Sequence, residues 1–241
     1  MRVASYNIRK SIGLDWRRDP SRIADVIAEL GADVVALQEA DRRFGNKSAT
    51  LCEAELLDRT GLVPISLSER EVDTGWHGNT ILLPPKTPIL ASERLRLPYL
   101  EPRGAILVEF EKDGVPMRLI ATHLGLTRQM RRVQLQEIVD ITASREEMPT
   151  IIAGDFNEWS TLSGLEPLQG RFNIVSPGRS FHSAQPLAAL DRIGLTPGID
   201  LHDAGVHETA LSRIASDHLP VWVDLMLPVP RRAASSEHHD K

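Results

Sequence analysis

The feature that most constrains the fold of this chain is a set of short apolar runs that each stop abruptly at a polar side chain. In the clearest case, the run Thr150–Ala153 is bounded by Pro149 and Gly154 and is followed at once by Asp155 and Asn157. Its length and β-branched composition are typical of a fully buried strand. Because alternate residues of an extended chain project to the same side, these two polar side chains would face one direction. Taken alone, the same residues are more typical of an ordinary turn.

The pattern recurs, and its recurrence distinguishes a site from a turn. A single histidine or carboxylate beside a strand is most often structural, solvated or part of a turn. Several of them in one domain, each at the end of a buried-looking strand, predict a shared site that binds metal or moves protons. Besides Asp155, Asn7, Glu39 and His123 follow such runs, and Asp217 with His218 comes directly before the last one.

Helical patterns separate these runs. Asp19 is followed by proline and by apolar residues at helical spacing, which predicts a helix that Gly31 terminates. The strand before it and the strand after it give the order strand, helix, strand, which is typical of a helix-covered sheet. Thr127 is predicted to cap a second, longer helix that runs from Arg128 to about Glu147.

The composition is that of an ordinary soluble globular protein. Its 241 residues are 41% apolar and 25% charged, and they contain no apolar run long enough to span a bilayer. We expect a single domain over residues 1–228 and a disordered tail over residues 229–241. The chain shows no secretion signal, and its single cysteine, Cys52, cannot form an internal disulfide. Both features predict a cytoplasmic location.

The charge balance bears on the substrate. A net charge of −5 argues against a protein that coats nucleic acid, and an aromatic content of 5% leaves few rings to stack on bases. Basic pairs nevertheless lie near the predicted site, at Arg9 with Lys10 and at Arg17 with Arg18. Surface arginines are usually only solvated, but these pairs keep a nucleic-acid substrate open as an alternative.

The segments SYNIR, LQE, THL, GDFN, LDRI and SDHLPV occur in this order at Asn7, Glu39, His123, Asp155, Asp191 and Asp217. In this arrangement the chain resembles the endonuclease/exonuclease/phosphatase superfamily, whose members are similar to deoxyribonuclease I. The resemblance extends from Asn7 to Val221. It implies an α/β fold, a four-layer sandwich of two mixed β-sheets packed face to face with helices on the outside, and a site at one end.

Phosphoester hydrolysis needs an activated water in line with the leaving oxygen and positive charge on the developing oxyanion. Glu39 and the amide of Asn7 offer hard oxygen ligands that suit Mg²⁺ or Mn²⁺ rather than zinc, and Asp217 would add a direct or indirect metal contact. His218 is the best candidate for the general base, and Asp191 is the family-matched carboxylate that would hold its other nitrogen.

The remaining candidates surround the reacting phosphate. Asp155 is expected to align or deprotonate the nucleophile, and Asn157 to hold the phosphate or the water. His123 suits either protonation of the leaving group or a hydrogen bond to the phosphate. Further phosphate or substrate contacts are predicted at Asn79, His77 and Arg9.

Three functions are consistent with these residues. The favoured one is a divalent-metal-dependent phosphodiesterase or phosphatase that acts on a small or lipid-headgroup phosphate. The alternative is a DNA or RNA nuclease with the same site. A remote third is a non-catalytic binding module, since a fold does not by itself prove a function. The oligomeric state is not predicted.

Overall fold

The computed structural model describes residues 1–40, 50–67, 76–101, 103–160 and 163–228, so the predicted tail lies outside the described residues. The strands are β1 (Arg2–Asn7), β2 (Val34–Gln38), β3 (Val63–Pro64), β4 (Thr80–Leu83), β5 (Ile89–Leu95), β6 (Gly104–Lys112), β7 (Val115–His123), β8 (Thr150–Asp155), β9 (Asn173–Val175), β10 (Asp191–Leu195), β11 (Asp200–Val206) and β12 (Val221–Met226). The helices are α1 (Pro20–Leu30), α2 (Glu53–Thr60), α3 (Arg128–Ala143) and the short α4 (Ser212–Ala215). Short 3-10 turns occur at Arg9–Ser11 and Glu166–Leu168.

The helix boundaries follow from capping. The Asp19 side chain accepts a hydrogen bond from the backbone of Arg22 at the start of α1, and Gly31 ends that helix at a φ of 54°. Thr127 caps α3 as predicted. This helix ends at Ala143 rather than near Glu147, because its apolar side stops at Ile141 and the sequence then leads into the proline before β8.

The strands form two mixed six-stranded sheets. Their orders are β11-β12-β1-β2-β4-β3 and β5-β6-β7-β8-β10-β9. Two neighbouring pairs, β1 with β2 and β7 with β8, are parallel, and the other pairs are antiparallel.

Alternation along the strands sorts the side chains into layers. In β1, Val3 joins the core between the two sheets, whereas Ala4 packs under α1 and α2 on the outer face of the first sheet. In β8, Ile151 faces the central core and Ile152 packs against α3 on the outer face of the second sheet. The result is helix, sheet, sheet, helix, which confirms the predicted four-layer sandwich.

This topology gathers the polar strand ends at one end of the molecule. In β7 and β8, His123 lies in register with Asp155, and Asp155 is also in register with Asp191, the first residue of β10. The close approach of β7 and β8 requires glycine at position 154, because a Cβ there would lie 1.8 Å from the carbonyl oxygen of Thr122. Asp155 is thereby fixed at the centre of the sheet's carboxyl end.

None of the helices in the described ranges is both long enough and apolar enough to cross a membrane.

Candidate active site

The site is built around the buried carboxylate of Asp155. Potential hydrogen-bond donors from both sheets surround this carboxylate. Its Oδ2 lies 3.1 Å from the Asn7 Nδ2, 3.3 Å from the His123 Nε2 and 3.6 Å from the His218 Nε2. Its Oδ1 accepts a hydrogen bond of 2.9 Å from the backbone N–H of Asn157. The structure therefore brings together, around one side chain, five of the residues that the sequence predicted for the site.

His218 lies between two carboxylates. Its Nδ1 is 2.8 Å from the Oδ2 of Asp191, and Ser180 donates a hydrogen bond of 2.5 Å to that same oxygen. Burial lowers the pKa of His218, but Asp191 and Asp155 outweigh burial and raise the pKa to about 10. Both ring nitrogens face acceptors, so the imidazolium is the form that this geometry favours.

His123 lies on the other side of Asp155 with a different partner. Its Nδ1 is 2.8 Å from the Nη1 of Arg103, a buried arginine that no sequence pattern predicts. Burial lowers the pKa of His123; Asp155 opposes this and Arg103 adds to it, which leaves the pKa at about 4. A pKa this far below the usual value favours the neutral form of His123.

The loop after β8 is held by two ion pairs to one buried carboxylate. Asn157 has a φ of 52° and donates from its amide to the carbonyl oxygen of Leu124. The next residue, Glu158, is fully buried and pairs with Arg128 and Arg131 at the start of α3, which contributes to a pKa of about 2 despite the opposing effect of burial. Arg192 of β10 donates a hydrogen bond to the carbonyl oxygen of Glu158, which also fixes this loop to the sheet.

The predicted metal ligands Glu39 and Asp217 are paired with basic side chains. The Glu39 Oε2 is 2.5 Å from the Nζ of Lys10, and the Asp217 Oδ2 is 3.4 Å from the Nε of Arg9. Burial opposes ionisation of Glu39, but Lys10 and nearby cations outweigh burial and hold its pKa below the usual value. The Asn7 Oδ1 accepts from the backbone N–H of Arg9. Excess negative charge at this edge is therefore balanced by side-chain cations.

The chemistry of the donors fits a hard divalent cation. Carboxylate and amide oxygens are the groups that Mg²⁺ and Mn²⁺ prefer, and the only cysteine of the chain, Cys52, belongs to the exposed surface. Single ligand atoms of Asp155, Asp191 and His218 also lie within 4.8 Å of one another, but both nitrogens of His218 already face carboxylates, so this trio is distinct from the predicted metal ligands. The buried Oδ1 of Asp191 has no hydrogen-bond partner among the described residues. The ion pair with Lys10 shows that the surroundings of Glu39 accept a positive charge beside its carboxylate.

Asn79 and His77 lie on the segment that leads into β4. The Asn79 amide donates to the carbonyl oxygens of Trp76 and Gly104, which ties this segment to the start of β6. The ring of His77 packs against Trp76 at 4.3 Å between centroids. These contacts give both residues structural partners, and their predicted role in phosphate binding stays a prediction.

Exposed tryptophans flank the site on two sides. The Phe181 ring lies 5.0 Å from that of His218, and Trp159, which is 65% exposed, lies 6.2 Å from Phe181. On the other side, the Arg9 guanidinium lies 4.9 Å from the ring centre of Trp16, which is 79% exposed. The low aromatic content had given no reason to expect these rings beside the site.

Comparison with known proteins places this geometry in a family. The family model described as "Endonuclease/Exonuclease/phosphatase family" matches residues 4–218. A comparison with curated proteins found no significant match.

Several solved structures share the fold. An endonuclease/exonuclease/phosphatase from Beutenbergia cavernae is 22% identical with a TM-score of 0.72, over 95% of this chain and 72% of that one. The mannosyl-6-phosphatase Bt3783 of Bacteroides thetaiotaomicron is 18% identical with a TM-score of 0.70, over 94% of this chain and 100% of that one. The D. rerio TDP2 complexed with single strand DNA product is 20% identical with a TM-score of 0.70, over 94% and 98%. At these identities the likeness shows the fold alone.

Proposed function

Because the chain belongs to the endonuclease/exonuclease/phosphatase family, whose members are metal-dependent phosphoester hydrolases, we propose that it acts as a phosphodiesterase or phosphatase on a small or lipid-headgroup phosphate. The observation that carries this proposal is the cluster around Asp155, where one carboxylate meets two histidines and an asparagine. The net charge of −5 supports a substrate other than a nucleic-acid polymer.

The proposed divalent cation is Mg²⁺ or Mn²⁺, held by Glu39, Asn7 and Asp217. When bound, it would supply positive charge to the developing oxyanion and favour ionisation of a nucleophilic water. Lys10 and Arg9 pair with two of these ligands, and we propose that they also contact the anionic substrate.

Asp155 is proposed to orient the attacking water and to accept its proton. The carboxylate is fixed from both oxygens by neighbouring donors, so its position requires little reorganisation during the reaction. The side chain of Asn157 is proposed to contact the phosphate or the water from the adjoining loop.

The geometry changes the role that we propose for His218. A general base needs a free lone pair, whereas both nitrogens of His218 face carboxylates and the ring is expected to carry both protons. We therefore propose that His218 donates a charge-assisted hydrogen bond to the phosphate from Nε2. Asp191, in turn supported by Ser180, holds the imidazolium in place.

Turnover of bis-p-nitrophenyl phosphate and p-nitrophenyl phosphate tests the proposal. We expect hydrolysis with Mg²⁺ or Mn²⁺ that stops with EDTA and returns when metal is added in excess. The variant Asp155→Asn, which preserves side-chain shape, should be inactive under the same conditions. Wild-type protein that hydrolyses neither compound with any divalent metal would contradict the proposal.

A nuclease is the second candidate, and the exposed Trp159 and Trp16 favour it because bases stack on such rings. The experiment that separates the two candidates incubates the protein with plasmid DNA, single-stranded DNA, phospholipid and small phosphodiesters side by side. The favoured function predicts turnover of the lipid or small esters at enzyme levels that leave DNA intact. Rapid nicking of plasmid at catalytic enzyme levels would establish the nuclease instead.

A further inference from the structure

We infer that Arg103 is a positioning residue that fixes the tautomer of His123, so that His123 acts as a neutral hydrogen-bond donor and not as the acid that protonates the leaving group. The part of this inference that concerns the reaction rests on the proposed function. The part that concerns the tautomer rests on geometry alone.

The sheet places Arg103 beside His123. Arg103 directly precedes β6, and the first residue of that strand, Gly104, is in register with His123 at the end of β7. A Cβ at position 104 would lie 2.6 Å from the Nε1 of Trp76, so any side chain there would displace the tryptophan ring. Arg103 therefore supplies the side chain next to the histidine, and both are buried, with exposures of 8% and 3%.

The contact between the two side chains determines where the proton of His123 lies. A guanidinium only donates hydrogen bonds, so the His123 Nδ1, at 2.8 Å from the Arg103 Nη1, must be the acceptor. The single ring proton is then on Nε2. That nitrogen lies 3.3 Å from the Asp155 Oδ2, which is an acceptor. The contacts at both ring nitrogens therefore favour the same tautomer.

Protonation of Nδ1 would have two costs. It would turn the hydrogen bond from Arg103 into a contact between two donors, and it would place a second positive charge against the guanidinium in a buried environment. A His123 held in this form has no labile imidazolium proton to give to a leaving oxygen. It can still donate from Nε2 to a phosphate oxygen, which is one of the two roles that the sequence left open.

The direct test is the protonation state of the ring nitrogens, measured by NMR on metal-free protein labelled with ¹⁵N-histidine at pH 7. The variant His123→Asn assigns the resonance. We expect Nδ1 without a proton and Nε2 with one in the wild type. Arg103→Lys, which keeps a cationic donor, should preserve this pattern, and Arg103→Met should mix the tautomers or produce the imidazolium. Near-UV circular dichroism checks that the variants remain folded.

Three results of this experiment would overturn the inference: a wild-type His123 protonated on Nδ1, an imidazolium at pH 7, or a folded Arg103→Met protein with an unchanged tautomer. If Arg103→Met does not fold, the wild type and Arg103→Lys decide the question alone. None of these readouts depends on turnover, so failure of the proposed function would leave the tautomer result intact.

A second measurement tests the consequence for the reaction. Phosphodiesters with a p-nitrophenyl or an alkyl leaving group differ in their need for an acid. We expect His123→Asn, which keeps a side-chain N–H donor, to slow both esters by a similar factor, within about threefold of each other. A loss that is more than about 100-fold greater for the alkyl ester would identify His123 as the acid and overturn this part of the inference.

Discussion

Two histidines flank the same carboxylate, but their surroundings give them opposite charge states. His218 and His123 are almost equally buried, with exposures of 5% and 3%, and both lie within 3.6 Å of the Asp155 Oδ2. Burial lowers the pKa of both. The difference comes from the second nitrogen, which faces the carboxylate of Asp191 in one ring and the guanidinium of Arg103 in the other. The charge of the partner, not the depth of burial, therefore separates a pKa of about 10 from one of about 4.

This contrast suggests a division of labour. In the proposed function, one ring would contribute positive charge to a phosphate, and the other would contribute a neutral N–H at a fixed position. Variants that remove one member of each arrangement in turn test this division.

The largest effect is expected for His218→Ala. Loss of a charged donor to the transferring phosphate should lower kcat for bis-p-nitrophenyl phosphate by about 1000-fold or more. The variant His123→Asn should lower kcat for the same ester by about 10- to 100-fold. A matched control is His207→Ala, which removes a histidine that pairs with Glu29 away from the cluster. Near-normal activity of His218→Ala, or a larger loss of activity in His123→Asn than in His218→Ala, would contradict the different roles of the two histidines.

Asp191→Asn tests whether the partner's charge sets the state of His218. The amide preserves the shape of the side chain but removes the negative charge, so we expect kcat to fall by about 100-fold with little change in KM. The pKa of His218, followed by NMR, should fall at the same time. Asp113→Asn, on an exposed turn, serves as the control. An unchanged pKa would mean that Asp191 does not hold the proton on the ring.

The two histidines should also act on stability in opposite pH windows, measured on metal-free protein. The raised pKa of His218 stabilises the folded state fully below about pH 6.5, and this contribution is lost as the pH rises toward 10. The lowered pKa of His123 makes the folded state lose stability as the pH falls from 6.5 toward 4.

Urea denaturation of the wild type, His218→Asn and His123→Asn would measure these contributions. Relative to His218→Asn, the wild type should lose a few kcal/mol of unfolding free energy between pH 6.5 and 10. Relative to His123→Asn, it should lose stability between pH 6.5 and 4. Parallel pH profiles for all three proteins would show that neither pKa is displaced.

The smallest effect is expected for Ser180→Ala. This hydroxyl reaches the site only through Asp191, whose Oδ2 it shares with His218. Its loss should lower kcat by roughly 3- to 10-fold, about the effect of one hydrogen bond. Ser183→Ala, which removes a hydroxyl bonded to backbone carbonyls nearby, is the matched control. A loss as large as that of Asp191→Asn would show that Ser180 itself contacts the reacting groups.

The sequence predicted much of the site because strand ends are a local signal. The apolar runs before Asn7, His123 and Asp155 identify β1, β7 and β8, and parallel pairing brings the carboxyl ends of neighbouring strands together. The layered fold followed from the family resemblance. The edge strand β5 was not predicted, because its exposed, partly charged residues carry little apolar periodicity.

The partners that distinguish the two histidines were not predictable in this way. Arg103 precedes a strand rather than following one, and only the register of β6 with β7 places it beside His123. Phe181 packs against His218, and Ser180 donates to its partner Asp191, from a loop with no apolar run. The sequence therefore predicted which residues would meet, but their charge states depend on long-range contacts that local patterns do not encode. The sequence predicts a general base at His218, whereas its two carboxylate contacts lead us to propose a hydrogen-bond donor.

The most direct test of the account is the protonation of both histidines in one ¹⁵N NMR spectrum of the metal-free wild-type protein at pH 7, with the Asn variants used for assignment. The account predicts an imidazolium at His218, with protons on both nitrogens, and a neutral His123 with its proton on Nε2. A neutral His218 with a free lone pair on Nε2, or a charged His123, would contradict it.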